Sequence, residues 1–526
     1  MTEGDIGMEG PVPATRPDEA ALSSGEAATR KQIRGSSLLL VGRFVSLGIN
    51  FLVQVLIVRY LSKADYGAFA YALSLVSFAS SLATFGLDRS VTRFVPIYDE
   101  QGEYRKLFGT LVLAIGTVAT LGLLTLVLVY SLQGVLSGSL VGDERAISIL
   151  LILIVLAPLS ALDGLLMGMF AVFSRPRAIF FRKYVLTPGL RLIVVLLLVL
   201  GGQSVYFLAA GYVATGAFGI ALYAVLLHRM LREEGLLDRL REGGVQVPAR
   251  EVLSFTIPLL TSDLVYMTMN TSDVILLGHY GNATDVAAFR VIGPTAHLNQ
   301  LVMTSFTLLF TPLAARMFAR RDREGINQLY WQTAVWIAVL SFPLFALTFS
   351  MAEPVTVTLF GARYESSAVY LTLLSLGYYF NAALGFNGLT LKVYGRLKYI
   401  VTINILAALV NLGVNLILIP RYGPLGAAIG TGGTLIVHNF FKQAGLRLTG
   451  VGLFRRAYLR VYVSIAVAAA ALLVLQLALD PPAIVAFVCA ALASLAVLAV
   501  SRSSLRAAQT FPELMRFRLM RLIVGS

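Results

Sequence analysis

The chain has one cysteine, Cys489, and it lies inside an apolar run. A single cysteine makes neither an internal disulfide nor a cysteine-built metal site. The four histidines include no HxxxH pair, which removes the usual helical zinc motif. Charge is scarce: 13% of the 526 residues are Asp, Glu, Lys or Arg, about half the share in a soluble globular domain. No GxxxxGK[ST] segment is present, so the chain carries no nucleotide-phosphate loop. Hydrophobic residues make up 57%, and the mean hydropathy is +0.79. That much apolar surface does not fit inside a soluble protein of this size. It also excludes a disordered chain. The remaining class is a polytopic membrane protein.

Apolar runs of roughly 20 residues, each long enough to cross the ~30 Å hydrocarbon core, recur from Ser36 onward. Fourteen are expected, at about 36–58, 66–87, 107–130, 146–172, 182–200, 204–228, 251–278, 284–310, 332–351, 366–388, 399–419, 424–447, 457–479 and 482–501. Backbone groups in lipid must be satisfied within the segment, so these are helices and the fold class is all-α. Alternating strands of a membrane barrel are not seen. Residues 1–35 lack the pattern of a signal peptide and read as a disordered cytoplasmic tail. Residues 502–526 mix Arg with Leu and Phe, as in an amphipathic helix lying on the inner membrane surface.

Lys and Arg give the orientation. With both termini inside, 34 of the 42 basic residues fall on inner segments. Five fall outside (Arg59, Lys63, Arg145, Arg363 and Arg421), and Arg43, Arg191 and Arg290 lie within spans. This is the positive-inside bias of a cell-membrane protein. The net charge of +14 is then topological, facing anionic membrane lipids rather than nucleic acid.

A shift of 220 residues lays 50–69 over 270–289 with six matches in twenty: Asn50/Asn270, Leu56/Leu276, Tyr60/Tyr280, Asp65/Asp285, Ala68/Ala288 and Phe69/Phe289. Spans 1–2 thus repeat as spans 7–8. Six spans per half is even, so the halves share one orientation, with a substrate site at their interface. The expected organisation is an N-lobe over 36–228, a connection over 229–250 and a C-lobe over 251–448. Two extra helices follow over 449–501, before the tail.

The segments LSKADYGAFAYALSLV (61–76), FGLDRSVTRFVPIY (85–98), EPVTVTLFGARYESSA (353–368) and GRLKYIVTINILAALVNLGVNLILIPRYGPLGAAIGT (395–431), in this order and spacing, resemble polysaccharide-transporter proteins. They are similar to the Wzx-type oligosaccharide flippases of the multidrug/oligosaccharidyl-lipid/polysaccharide exporter superfamily. The resemblance implies a V-shaped, alternating-access transporter. It moves an undecaprenyl-diphosphate-linked oligosaccharide from the inner to the outer leaflet and is not an enzyme. It also points to working partners among polysaccharide polymerases and glycosyltransferases. Basic cavity residues on the first and eighth spans are implied, which Arg43 and Arg290 fit by span.

A charge at mid-bilayer costs roughly 2.5–3.5 kcal/mol on insertion scales, so each needs a reason. Arg43, Ser46, Asn50 and Gln54 share one face of span 1. Asp263, Tyr266, Asn270 and Asp273 share one face of span 7, and the 220-residue shift lays Arg43 on Asp263. Two such stripes fit a central cavity, though Arg43 alone also lies within snorkelling reach of the headgroups. Equal depth predicts a pair between Asp163 and Arg191, and another between Asp273 and Arg290. Asp263 has two candidate partners, Arg43 and His297. Asp163, Asp263, Asp273 and His297 are therefore the gating or coupling candidates, with H+ or Na+ as the coupling ion and no cofactor. Arg43, Arg191 and Arg290 are the candidates for a diphosphate, which guanidinium binds bidentately. Asn50, Gln54, Asn411 and Asn415 are the polar cavity candidates, and the asparagines of span 11 compete with a plain helix-gluing role.

Three alternatives compete. A multidrug or cation antiporter of the same superfamily calls for acidic, aromatic cavity walls, and three intramembrane Arg argue against it. A peptidoglycan-precursor flippase is a close relative that composition does not separate. A membrane glycan polymerase or glycosyltransferase needs a sizeable outer loop, and the longest here, 131–145 and 352–365, are short.

Overall fold

A computed structural model describes the backbone of residues 17–135, 144–173, 175–236, 238–239 and 244–505. Within these, the side chains of 17–38, 135, 258–259, 261–264, 266, 270 and 308–309 are not described. Among the described residues there is helix and no strand. Eleven helical segments are long and apolar enough to cross a membrane, and a bent pair, Ala283–Thr307 with Phe310–Ala319, makes twelve. The helices Ala249–Tyr280 and Pro424–Gly445 stand where spans 7 and 12 are expected. The second is rich in glycine and falls short of the apolar test, and the first is described only in part. Among the described residues, eleven or twelve of the fourteen expected spans are met by composition.

We number the segments as expected: span 1 Leu39–Tyr60, span 2 Lys63–Glu100, span 3 Tyr104–Ser131, span 4 Glu144–Val172, span 5 Pro176–Leu200 and span 6 Val205–Glu233. Span 7 is Ala249–Tyr280 and span 8 the bent pair. Spans 9 to 11 are Arg323–Ser350, Ala362–Val393 and Leu397–Tyr422, span 12 is Pro424–Gly445, and spans 13 and 14 are Arg456–Leu479 and Ala483–Leu505. The end of the bundle that holds the 2–3 loop and the 6–7 connection is called inner.

Two boundaries move. The helix that becomes span 1 begins at Pro17, so residues 17–35, expected as disordered tail, are helical. Pro at the first helical position and the Ala- and Glu-rich run after it favour this. Span 5 begins at Pro176, six residues before the expected start, again with Pro at the first turn. The amphipathic tail expected over 502–526 lies outside the described residues from 506 on.

The repeat is visible in the caps. Ser62 caps span 2 by accepting from the Asp65 amide, and Asn282 caps span 8 by accepting from the Asp285 amide, 220 residues later in each case. At their outer ends the two hairpins cross. An ideal Cβ at Gly67 lies 1.7 Å from the carbonyl oxygen of Ala283, and one at Gly278 lies 2.0 Å from the Tyr71 ring. One apolar core unites both lobes through the outer halves of the spans, from Val53 and Phe69 to Leu277, Phe289 and Leu371. The inner halves have separate cores, one around Phe94, Leu107, Phe170 and Tyr223, the other around Phe310, Trp331, Phe386 and Ile400. Spans 13 and 14 pack on the C-lobe, where Ser350 Oγ donates to the Ala469 carbonyl (2.9 Å) and Tyr462 to that of Ala383 (2.8 Å).

The inner halves touch along one seam, where span 7 meets the inner end of span 2. The hydroxyls of Ser90 and Thr256 lie 2.5 Å apart, the Phe94 and Phe255 rings meet edge to face, and Arg93 covers Phe255 at 4.3 Å. On the outer side two arginines clasp the lobes. Arg59 at the end of span 1 donates to the carbonyls of Leu359 (2.8 Å) and Thr358. Arg363 returns the contact to the carbonyls of Arg59 (3.0 Å) and Val58. Each guanidinium thus satisfies the open carbonyls at the C-terminus of the other lobe's helix, where positive charge is favoured.

Removing the clasp opens the outer side. In a Cys489→Ser background with Tyr364→Cys as the reporter, Arg59→Ala/Arg363→Ala raises maleimide labelling of the purified protein. The expected rise is about 5–30-fold, the shift that one or two kcal/mol produces. Unchanged labelling would refute the latch.

Candidate functional site

The expected site residues fall mainly into two groups of polar and charged side chains inside the spans. The first lies in the N-lobe, on spans 1, 4 and 5. Asp163 of span 4 holds Arg182 of span 5 at 2.8 Å. This corrects the expected pair of Asp163 with Arg191. Arg191 instead covers the Tyr212 ring at 5.0 Å, between spans 5 and 6, and its Nε is buried without a hydrogen-bond partner.

The local fold explains the exchange. Residues 180–186 form a wide π-helical turn, closed by the Thr187 amide on the Arg182 carbonyl. Pro188 has no amide to continue the regular ladder, which favours such a turn one step upstream. The extra residue in the turn rotates Arg182 toward span 4. Span 6 makes room: a Cβ at Gly219 would lie 1.9 Å from an Arg182 nitrogen, and the Tyr223 ring covers the guanidinium at 5.3 Å.

Arg182 and Lys183, at the expected start of span 5, lie well inside it, because the helix begins at Pro176. Pro176 was the available signal, because a helix that starts there carries both residues into the bundle. Lys183 Nζ sits 3.4 Å from the Met167 sulfur, and it interacts electrostatically with Asp163 and Arg43. Arg43 is exposed and its side chain makes no hydrogen bond or ion pair with the described residues. The group thus holds Arg43, Arg182, Lys183 and Arg191 against the one carboxylate of Asp163.

The second group sits where spans 1, 2, 7 and 8 meet. Gln54 donates to the Tyr66 hydroxyl at 2.6 Å. Arg290 lies within electrostatic reach of Tyr66, Asp273 and His297. It forms no salt bridge with Asp273, so the expected pair is a neighbourhood rather than a contact. Asp273 is 5% exposed; one oxygen accepts from the Val274 amide (2.8 Å), the other from Thr431 of span 12 (3.4 Å). His297 is exposed, bonds through Nδ1 to the Gly293 carbonyl (2.8 Å) and stacks on Tyr378. The Asp263 side chain lies outside the described residues, and its expected pairing with Arg43 or His297 goes with it. Asn50 donates to the Ser46 carbonyl of its own helix.

Asn411 and Asn415 are not cavity residues. They are 1% and 0% exposed, inside the C-lobe. Asn415 donates to Asn411 Oδ1 (3.4 Å), as does Ser272 (3.5 Å). Asn415 Oδ1 is buried with no donor and sits against Gly430. Span 7 thus meets span 11 through Ser272 and Asn411, and span 12 through Asp273 and Thr431. Of the tyrosines on span 10, Tyr379 is structural, stacked on Phe345 and bonded to the Ala338 carbonyl (2.8 Å). No cluster of three His, Cys, Asp or Glu residues occurs among the described residues.

Residues 33–318 match the family described as "Polysaccharide biosynthesis protein", and 258–417 match MatE. The succinoglycan biosynthesis transport protein ExoT of Rhizobium meliloti is 24% identical over 62% of this chain and 62% of its own. The probable low-salt glycan biosynthesis flippase Agl15 of Haloferax volcanii is 19% identical over 76% of this chain and 80% of its own. A solved structure of the lipid II flippase MurJ in an inward closed conformation superposes with a TM-score of 0.66 at 14% identity, covering 92% of this chain and all of that one. At that identity the likeness is one of fold.

The Arg182 site carries its own test. Asp163→Asn leaves a buried guanidinium unpaired and costs about 3 kcal/mol, the low end for a buried pair because Asp163 is partly exposed. Thermal unfolding of the detergent-purified protein reads this as a lowered Tm. Arg182→Gln added to Asp163→Asn restores most of it; a Tm unmoved by Asp163→Asn would dismiss the pair as a stabilising contact.

Proposed function

Because the chain belongs to the polysaccharide biosynthesis protein family, we propose that it is a flippase for a lipid-linked oligosaccharide carried on a diphosphate. It is a multi-pass membrane protein of the multidrug/oligosaccharidyl-lipid/polysaccharide exporter superfamily. Its cargo, its place in the cytoplasmic membrane and its orientation with both termini inside are our reading. The observation that carries the cargo is the excess of positive charge on spans 1, 4 and 5: Arg43, Arg182, Lys183 and Arg191 against Asp163. A diphosphate brings about two negative charges, and guanidinium groups meet its oxygens in pairs. Arg43 and Lys183, with no carboxylate in salt-bridge contact, are the groups free to receive it. A cationic drug would meet repulsion there, which weighs against the antiporter reading that the MatE match would allow. A peptidoglycan-precursor flippase would use the same charges; the glycan processes named for ExoT and Agl15 favour the polysaccharide branch.

Alternating access follows from the packing. Cargo enters between the inner halves while the outer clasp is shut. Opening the clasp and closing the inner halves then exposes it outside. The coupling ion, H+ or Na+, is proposed to act at Asp273, with the Thr431 hydroxyl beside it. Na+ is a hard cation that suits such ligands, as other hard cations do. Arg290 stands between that site and the lobe junction and would feel its charge.

Deleting the gene should make a diphosphate-linked oligosaccharide accumulate on the inner side while a surface glycan disappears, and mass spectrometry of the extracted lipid names the cargo. An intact glycan with new sensitivity to cationic drugs would move the protein to the antiporter branch. In the complemented strain, Arg43→Ala or Arg290→Ala abolishes flipping with normal protein in the membrane. Full activity of both would end the cationic-cavity reading. Asp273→Asn abolishes flipping without loss of binding, and retained flipping would remove Asp273 from coupling.

A further inference from the structure

The 6–7 connection is strapped across the start of span 3. The Gln246 amide donates to the Arg105 carbonyl at 3.0 Å, and a Cβ at Gly109 would lie 1.9 Å from the Gln246 carbonyl oxygen. Beside this strap is a cavity of about 410 Å³, lined among others by Glu103, Tyr104, Arg105, Lys106, Arg239 and Gln246. It opens at the inner end, away from both charge groups described above.

Among the described residues, the charges around it do not cancel. Glu103 is occupied by Lys106 at 2.7 Å. Arg105 is exposed and makes no side-chain hydrogen bond or ion pair with the described residues. Arg239, from the connection, lies over the Tyr104 ring at 4.2 Å. Stacking uses the face of a guanidinium and leaves its in-plane N–H groups free, the edge that grips phosphate oxygens bidentately. Two uncompensated guanidinium groups, one from each side of the cavity, therefore converge on a volume sufficient for a phosphorylated headgroup. Holding Arg239 in one orientation over an aromatic ring also lowers the entropy cost of binding.

We propose that this cavity binds a phosphate group, held between Arg105 and Arg239. The phosphate comes from an anionic lipid headgroup or from a soluble phosphorylated molecule. The site is separate from the cargo path, and the inference does not depend on the cargo. A ligand there fastens the connection to span 3. Through the connection it also holds the first turns of span 7, at the Ser90–Thr256 seam.

The test uses the full chain purified in detergent. One arm adds phosphatidylglycerol or phosphatidylcholine and counts retained lipid by native mass spectrometry. The other titrates inorganic pyrophosphate and follows binding by thermophoresis. Arg105→Ala/Arg239→Ala is expected to weaken binding about tenfold or more, as loss of two charge-assisted contacts should. Arg320→Ala/Arg321→Ala, on another inner loop, serves as the control and should change nothing. A selective loss in the phosphatidylglycerol arm assigns a lipid headgroup; a selective loss in the pyrophosphate arm assigns a soluble phosphate. Unchanged binding in both arms, or an equal loss in the control, overturns the proposal. If the alanine pair is not recovered as folded protein, Arg105→Gln/Arg239→Gln removes the charge while keeping polar stems.

Discussion

Between Gly67 and the carbonyl of Ala283 there is no space for a side chain. Spans 2 and 8 meet there backbone to backbone, and the rest of the arrangement depends on it. Lipid tails are as apolar as leucine, so burying apolar groups does not by itself draw helices together in a membrane. Close packing and hydrogen bonds must do so, and small residues permit the approach. With Gly278 admitting the Tyr71 ring beside it, the outer halves of both lobes share one core. The inner halves are left with a core each. The split between them follows from where the joint lies.

Much of this was legible in the sequence. Alignment of residues 50–69 with 270–289 predicted the repeat, and the equivalent caps at Ser62 and Asn282 are its structural counterpart. Polar stripes marked Gln54 and Asp273 as residues near the lobe junction. Depth alone failed for the ion pairs. It placed Asp163 level with Arg191 but carries no information on rotation about a helix. The π-helical turn over 180–186 changes that rotation and delivers Arg182 instead. Span 11 failed for a related reason: Asn411 and Asn415 do share a face, but periodicity does not say whether that face meets a cavity or two neighbouring helices. For Asp263 the comparison stops at the backbone of span 7.

The buried charges show different solutions to one cost. Arg182 has a carboxylate, a glycine-lined recess and an aromatic cover. Arg191 has Tyr212 and the field of Asp163. Asp273 has donors on two of its sides and Arg290 at a distance. Arg43 and Lys183 are exposed and have no carboxylate in salt-bridge contact. Arg290 stands near Asp273, Tyr66 and His297, apart from the group of spans 1, 4 and 5.

The two-arginine clasp has no carboxylate in it. Its acceptors are peptide carbonyls, which have no proton to gain in ordinary media, and a guanidinium keeps its charge throughout. A gate built from Asp or Glu would loosen whenever the surroundings turned sour. This one offers acid nothing to neutralise, so the clasp itself holds in acid as in neutral water.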